Sequence, residues 1–231
     1  MKFLVTVIIV VFFFKATAQL NYNQALLDTL QEIVHTNTPA KYFARLYSQT
    51  IEITNIHAHK LPDSVKRFVF GLESFFAPAF FRSYQNFITD KPQAIAWRQY
   101  YADTTLNELQ YQFMGMNAHI NGDLWIALKD TYSYDTLRKY KQQLIKFQAV
   151  LNTLLNSIYI TSGKYKKVRQ LHLLTLGLDK NWGRRMVRHW RKRQLRLALL
   201  FYTSPEKCNR KLKRLNVKMQ HYNSFALRWL K

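Results

Sequence analysis

His119 and Asp123 stand four residues apart, and so do Asn117 and Asn121, all within the stretch from Gly115 to Trp125. On an α-helix each pair shares a face, and two steps of about 100° set the pairs on nearly opposite faces. An imidazole and a carboxylate on adjacent turns offer three kinds of chemistry. They can give a metal ion two ligands, with others arriving from elsewhere; His57 and His59 are of the right type. They can form an acid/base pair in which the carboxylate fixes the histidine tautomer, the equipment of a hydrolase. Or they can satisfy one another inside a core while the two asparagines stitch helices together. The spacing leaves all three open and names no cofactor.

The residues around them indicate where this segment lies. Phe113, Ile120 and Leu124 cluster on one side of a helix, Met114 and Trp125 on a second, and Ile126 on a third. A helix that is apolar all round is normally buried, which predicts a central helix over about 105–129. An unpaired buried polar group costs about 1–3 kcal/mol, so the four polar side chains need partners from helices, water or a ligand. Gly115 and Gly122 each weaken a helix by about 1 kcal/mol relative to alanine, which tertiary packing must offset.

The string Met116-Asn117-Ala118-His119-Ile120-Asn121 followed by Asp123-Leu124 resembles the hallmark of a bacterial family of helical domains of unknown function. Phe75 to Phe87, Trp97 and Gln110 before it, and Leu144 to Leu155 after it, fit that family's succession of helices, so the resemblance covers residues 60–200. It implies a compact all-helical domain with Asn117, His119, Asn121 and Asp123 as its distinctive polar site, and it brings no substrate or cofactor. Two positions depart from the pattern: an aliphatic residue is common where this chain has Gly122, and a histidine where it has Tyr111. If that histidine helps build a site, Tyr111 weakens the metal reading here.

The elements that must position these residues are helical throughout. Apolar residues recur at helical spacing, sustained alternation of period two is absent, and only six glycines and five prolines occur. The pattern predicts helices over 24–36, 40–53 and from Pro62 onward, with a loop at 55–61. Pro78 and Pro92 are expected to punctuate short pieces at 80–88 and 94–100. Thr105 and Glu108 have capping-box spacing at the start of the central helix. One helix is expected over 134–160, a stop at Gly163, a short helix at 171–176 and a long basic one over 180–202. Ser204 before Pro205 reads as an N-cap opening the last helix. The expected fold is an all-α array of helices around the central one.

The N-terminus reads as a signal peptide over 1–18: Lys2, an apolar run from Phe3 to Phe14 broken by Thr6, then Ala16-Thr17-Ala18. That run is far short of the roughly 20 residues a bilayer span needs, so the mature chain is expected to be exported, periplasmic or secreted, with no transmembrane segment. Residues 19–231 are read as one helical domain. Its single cysteine, Cys208, excludes an intrachain disulfide. The thiol is read as partly buried or idle, although Lys207, Arg210 and Lys211 beside it would favour the thiolate.

The net charge of +22 is lopsided. Residues 19–163 carry 13 Lys/Arg and 11 Asp/Glu, whereas 164–231 carry 20 Lys/Arg and only Asp179 and Glu206. Arg184, Arg188, Arg191 and Lys192 are the candidate anion-binding residues on the long basic helix. Phosphate loops, nucleophile elbows and zinc motifs are absent, as is any nucleic-acid fold signature. The basic third reads either as a merely solvated face or as a contact for an anionic envelope polymer or membrane surface, and export argues against genomic DNA. The chain is therefore expected to be an envelope-binding protein, the alternative being a metal-assisted or acid/base hydrolase using His119 and Asp123.

Overall fold

A computed structural model of the chain describes residues 23–58, 60–175 and 178–230. The signal peptide expected over 1–18 lies outside the described residues, and so does His59. Every regular element among the described residues is helical. The first, α1, covers 23–34. Then come α2 (Ala40–Ala58), α3 (Asp63–Ile88), α4 (Ile95–Ala102), α5 (Glu108–Met116), α6 (Leu124–Thr131), α7 (Tyr134–Lys139) and α8 (Lys141–Lys146). The chain ends with α9 (Gln148–Ser162), α10 (Lys166–Leu174), α11 (Leu178–Thr203) and α12 (Pro205–Trp229). None of these helices is long and apolar enough to cross a membrane.

The expected central helix is present, with a difference that matters. Between α5 and α6 the rod passes through a π-helical segment, Asn117–Asp123, that holds all four candidate polar residues. There the Leu124 N–H reaches back to the His119 carbonyl. The rod starts at a capping box, but one residue pair away from the expected place. Asn107 accepts from the Gln110 N–H, and Gln110 accepts from the Asn107 N–H. Thr105 instead directs both its N–H and its hydroxyl to Asp103. Around the rod, α5 packs on α2, α4 and α12, the π segment on α3, α4, α11 and α12, and α6 on α3 and α11.

Three further expectations are corrected. Helix α3 runs unbroken through Pro78. A mid-helix proline costs about 3 kcal/mol, and burial of Phe76, Ala77 and Phe80 on either side of it offsets that. The helix expected over 134–160 is three helices. Its breaks fall at Tyr140, which stacks on Phe68 of α3, and at Phe147, which faces the Arg191 guanidinium. Aromatic packing there overrides local propensity. Finally, the Ser204 side chain makes no capping bond, although Pro205 does open α12. Cys208, read from the sequence as partly buried or idle, is buried with its thiol directed at the Leu197 carbonyl, and burial pushes its pKa up, against the pull of its cationic neighbours in the sequence.

The two glycines of the rod mark close approaches. A Cβ on Gly115 would run into the Phe43 ring of α2, and one on Gly122 would overlap the Ala96 side chain of α4. Gly183 in α11 has nothing within 4 Å of such a Cβ. Gly122→Ala is therefore expected to destabilise the fold by about 1–3 kcal/mol through overpacking. Gly183→Ala should stabilise it by up to about 1 kcal/mol. Paired denaturant titrations measure both.

Candidate functional site

The two i,i+4 pairs of the π segment serve separate networks. On one side, the two amide hydrogens of Asn117 go to the Met219 carbonyl, at 2.9 Å, and to Asn223 Oδ1, at 2.8 Å, both on α12. Asn117 Oδ1 accepts from Asn121 at 2.9 Å, and Asn121 Oδ1 lies 3.5 Å from the Gln194 amide of α11. Asn223 passes the chain on to Gln99 of α4. This amide ladder ties three helices to the rod, and Asn117, Asn121 and Gln194 are wholly buried.

On the other side, Asp123 Oδ2 receives the Trp97 indole N–H at 2.8 Å and His119 Nδ1 at 3.3 Å. The carboxylate is an acceptor, so Nδ1 carries the proton and Nε2 is the bare nitrogen. Phe76 stacks on the His119 ring at 3.5 Å, and Tyr47, Phe43 and Trp97 close round it at 4.8, 5.5 and 6.2 Å. The residue is 2 % exposed, and Nε2 has no partner among the described residues. Burial lowers the His119 pKa against the opposing pull of Asp123, so the ring is held neutral.

Both pairs therefore touch as their spacing implies, and each finds its partners on neighbouring helices. No group of three His, Cys, Asp or Glu able to hold a metal forms among the described residues. His57 bonds the Ile53 carbonyl at the end of α2. Tyr111 donates to the Asp103 carbonyl and stacks on Tyr42.

Sequence reasoning missed a second polar centre beside the cage. Tyr47 donates to Glu73 Oε2 at 2.8 Å, and Arg191 of α11 lies close enough for its charge to act on Glu73. By surface area Glu73 is half-buried, but its carboxyl end is closely surrounded by protein. That desolvation raises its pKa to about 7, although the Tyr47 hydrogen bond and Arg191 both pull it down. Burial likewise lowers Arg191 to about 10. The two residues line a cavity of about 60 Å³ with Thr54, Phe76, Ile120 and Leu154. A water needs roughly 10–15 Å³, so several fit. Arg191, expected on an anion-binding face, is thus turned inward, its Nη2 on the Leu144 carbonyl.

The other candidate cations divide. Arg184 is half-buried and bonded to Asn156, while Arg188 and Lys192 are exposed. Lys192 belongs to a groove of about 400 Å³ between α11 and α12, which it lines with His189, Arg193, Arg196, Lys211, Arg214 and Lys218 over a floor of Leu197 and Leu215. No acid lines this groove, and none of its six Lys/Arg takes part in an ion pair among the described residues. Arg193 Nη1 is buried with no hydrogen-bond partner among the described residues. Burial lowers the His189 pKa first, followed by the charges of Arg193, Lys218 and Lys192.

Residues 23–226 match a protein family described as a family of unknown function (DUF5995). That span is wider than the 60–200 suggested by the hallmark. No curated protein and no solved structure matches significantly.

Two measurements test this description. Trp97→Phe keeps the ring but removes the donor to Asp123, and should cost about 1–3 kcal/mol in chemical denaturation. Glu73 is raised from 4.5 to about 7, so the stability it contributes is complete below pH 4.5 and lost as the pH rises through 7. His119, with a lowered pKa, acts in the opposite sense, losing its contribution as the pH falls below 6.5. Glu73→Gln should therefore melt progressively higher than the wild type as the pH rises from about 4.5 to 7, with the difference levelling off above that and vanishing at acid pH.

Proposed function

Because the chain belongs to the DUF5995 family, whose function is unknown, we propose a role from its own surfaces: it binds an anionic polymer of the cell envelope in the groove between α11 and α12. The observation that carries this reading is the groove itself, six unpaired Lys/Arg with no acid among the lining residues. Like charges held this close repel one another, and a polyanion relieves that repulsion while releasing its own counterions. The concave shape favours a strand of polymer over a flat lipid surface. Arg193 is among the residues that line the groove.

Export belongs to the same reading. The run from Phe3 to Phe14 and the Ala16-Thr17-Ala18 site would deliver the protein across a membrane that none of its described helices can span. The alternative, hydrolysis by His119 and Asp123, draws support from the π segment, since such segments occur frequently at functional sites. It has less support than the groove, because four aromatic residues enclose the His119 ring and the cavity beside it is not lined by His119.

Heparin, a sulfated polyanion, serves as the probe. The wild type should be retained to high salt, and the Arg193→Gln/Arg196→Gln/Arg214→Gln variant should elute much earlier. With about 0.7–0.9 counterions released per contact, the log–log salt dependence should fall by roughly two to three. Arg184→Gln/Arg188→Gln, away from the groove, should elute almost unchanged. Burial and the neighbouring cations lower the His189 pKa, and an anion in the groove offsets the cations' part, so wild-type retention should strengthen as the pH falls below 6.5. Equal elution of the two variants sinks the groove reading. Mass spectrometry of exported protein should find Gln19 at the N-terminus.

A further inference from the structure

At the far end of α11 a second surface stands out, of apolar rather than charged character. Ile160, at the end of α9, is 74 % exposed; Leu173 and Leu174 of α10 are 70 % and 84 % exposed, and Leu178 of α11 is 67 % exposed. Trp182, one turn beyond Leu178, is also exposed on one side while its ring meets Phe225 on the other. Isolated exposed leucines are ordinary on protein surfaces, but several large exposed apolar side chains on three helix ends that are bonded together are the makings of an interaction site.

These side chains are not exposed because the corner is loose. Ser162 Oγ on α9 lies 3.2 Å from His172 Nε2 on α10, and His172 Nδ1 is bonded to Asp179 on α11. Thr175 donates to the other oxygen of Asp179 at 2.8 Å, and Tyr159 packs on the His172 ring at 4.0 Å. The order Ser–His–Asp is that of an acyl-transfer triad. Here, however, Ser162 is buried and its hydroxyl donates to the Tyr159 carbonyl at 2.7 Å. The chain of bonds is a brace that fixes the ends of three helices and holds the leucines outward.

Charge decides what would cover them. Residues 164–185 carry seven Lys/Arg, and their one acid, Asp179, is occupied by the brace. Lys166 and Arg169 of α10 and Arg185 of α11 are exposed on the same helices as these leucines. The core of a protein–protein interface is depleted in lysine, whereas leucine and tryptophan bordered by Lys/Arg is the composition of a segment lying in a membrane interface. We propose that this braced corner docks on an anionic lipid bilayer. Leu173, Leu174 and Leu178 enter the headgroup boundary, Trp182 sits at its edge, and the surrounding cations meet lipid phosphates, each adding about 1 kcal/mol near a charged surface.

The test is partition of the purified protein onto phosphatidylcholine vesicles with and without phosphatidylglycerol. Binding should require phosphatidylglycerol, and Leu174→Asp/Leu178→Asp should weaken it by on the order of tenfold or more. Trp emission should shift to shorter wavelength on binding, and Trp182→Phe should abolish the shift while the protein still sediments with vesicles. Both leucines are on the surface, so the aspartates should leave the thermal melt unchanged; a lowered melt moves the test to Leu174→Ser/Leu178→Ser. Equal partition of wild type and double variant overturns the proposal. So does partition lost only in the Arg193/Arg196/Arg214 variant, which assigns binding to the groove. A dimer that dissociates in the leucine variant, without vesicle binding, makes the corner a contact between copies and also overturns it.

Discussion

Asn117 has two amide hydrogens and one carbonyl oxygen, no contact with water, and a protein partner for each. That satisfaction constrains the fold in several directions at once. The Met219 carbonyl and Asn223 must arrive from α12, Asn121 must face the same way one turn on, and Gln194 must close the ladder from α11. If any of these helices shifted by a turn, a buried amide would lose its partner, at about 1–3 kcal/mol for each group. A core closed only by apolar contacts tolerates sliding far better than one closed by directional bonds. The glycines serve the same end: Gly122 lets α4 come close enough for Trp97 to reach Asp123, and Gly115 admits Phe43 to the wall of the histidine cage.

Much of this was legible in the chain. A segment apolar on every side had to be central, and residues four apart had to meet, which Asn117–Asn121 and His119–Asp123 do. The π segment was not legible, because a reading built on 3.6 residues per turn cannot register one extra residue in a turn. Nor could spacing reveal Trp97 as the donor to Asp123, since the two lie on different helices and only the tertiary fold relates them. Arg191 misled for another reason. Residue type assigns arginine to solvent, and nothing local reveals that Glu73 and the Leu144 carbonyl await it inside.

The last two helices divide their faces between stability and charge. The inward side of α12 carries Leu215, Met219, Asn223 and Ala226 into the core, while Lys211, Arg214 and Lys218 line the groove. In α11 the buried Val187, Trp190, Gln194 and Ala198 alternate with groove cations at helical spacing. Packing of the inner faces forces the outer cations together against their own repulsion. The lowered pKa of His189 registers that positive field together with the ring's own burial.

The ladder also has a bearing on timing. Asn117 is separated from its α12 partners by 102 and 106 residues of chain, and Asn107 at the head of the rod bonds the Leu230 carbonyl across 123. Contacts of such long sequence separation form late and slowly, because the intervening loop must close before they can add any stability. A ribosome-bound chain that had not yet released its final helix would hold the middle of its rod unsatisfied. The polar centre of the rod is thus completed only once α12 is available to it.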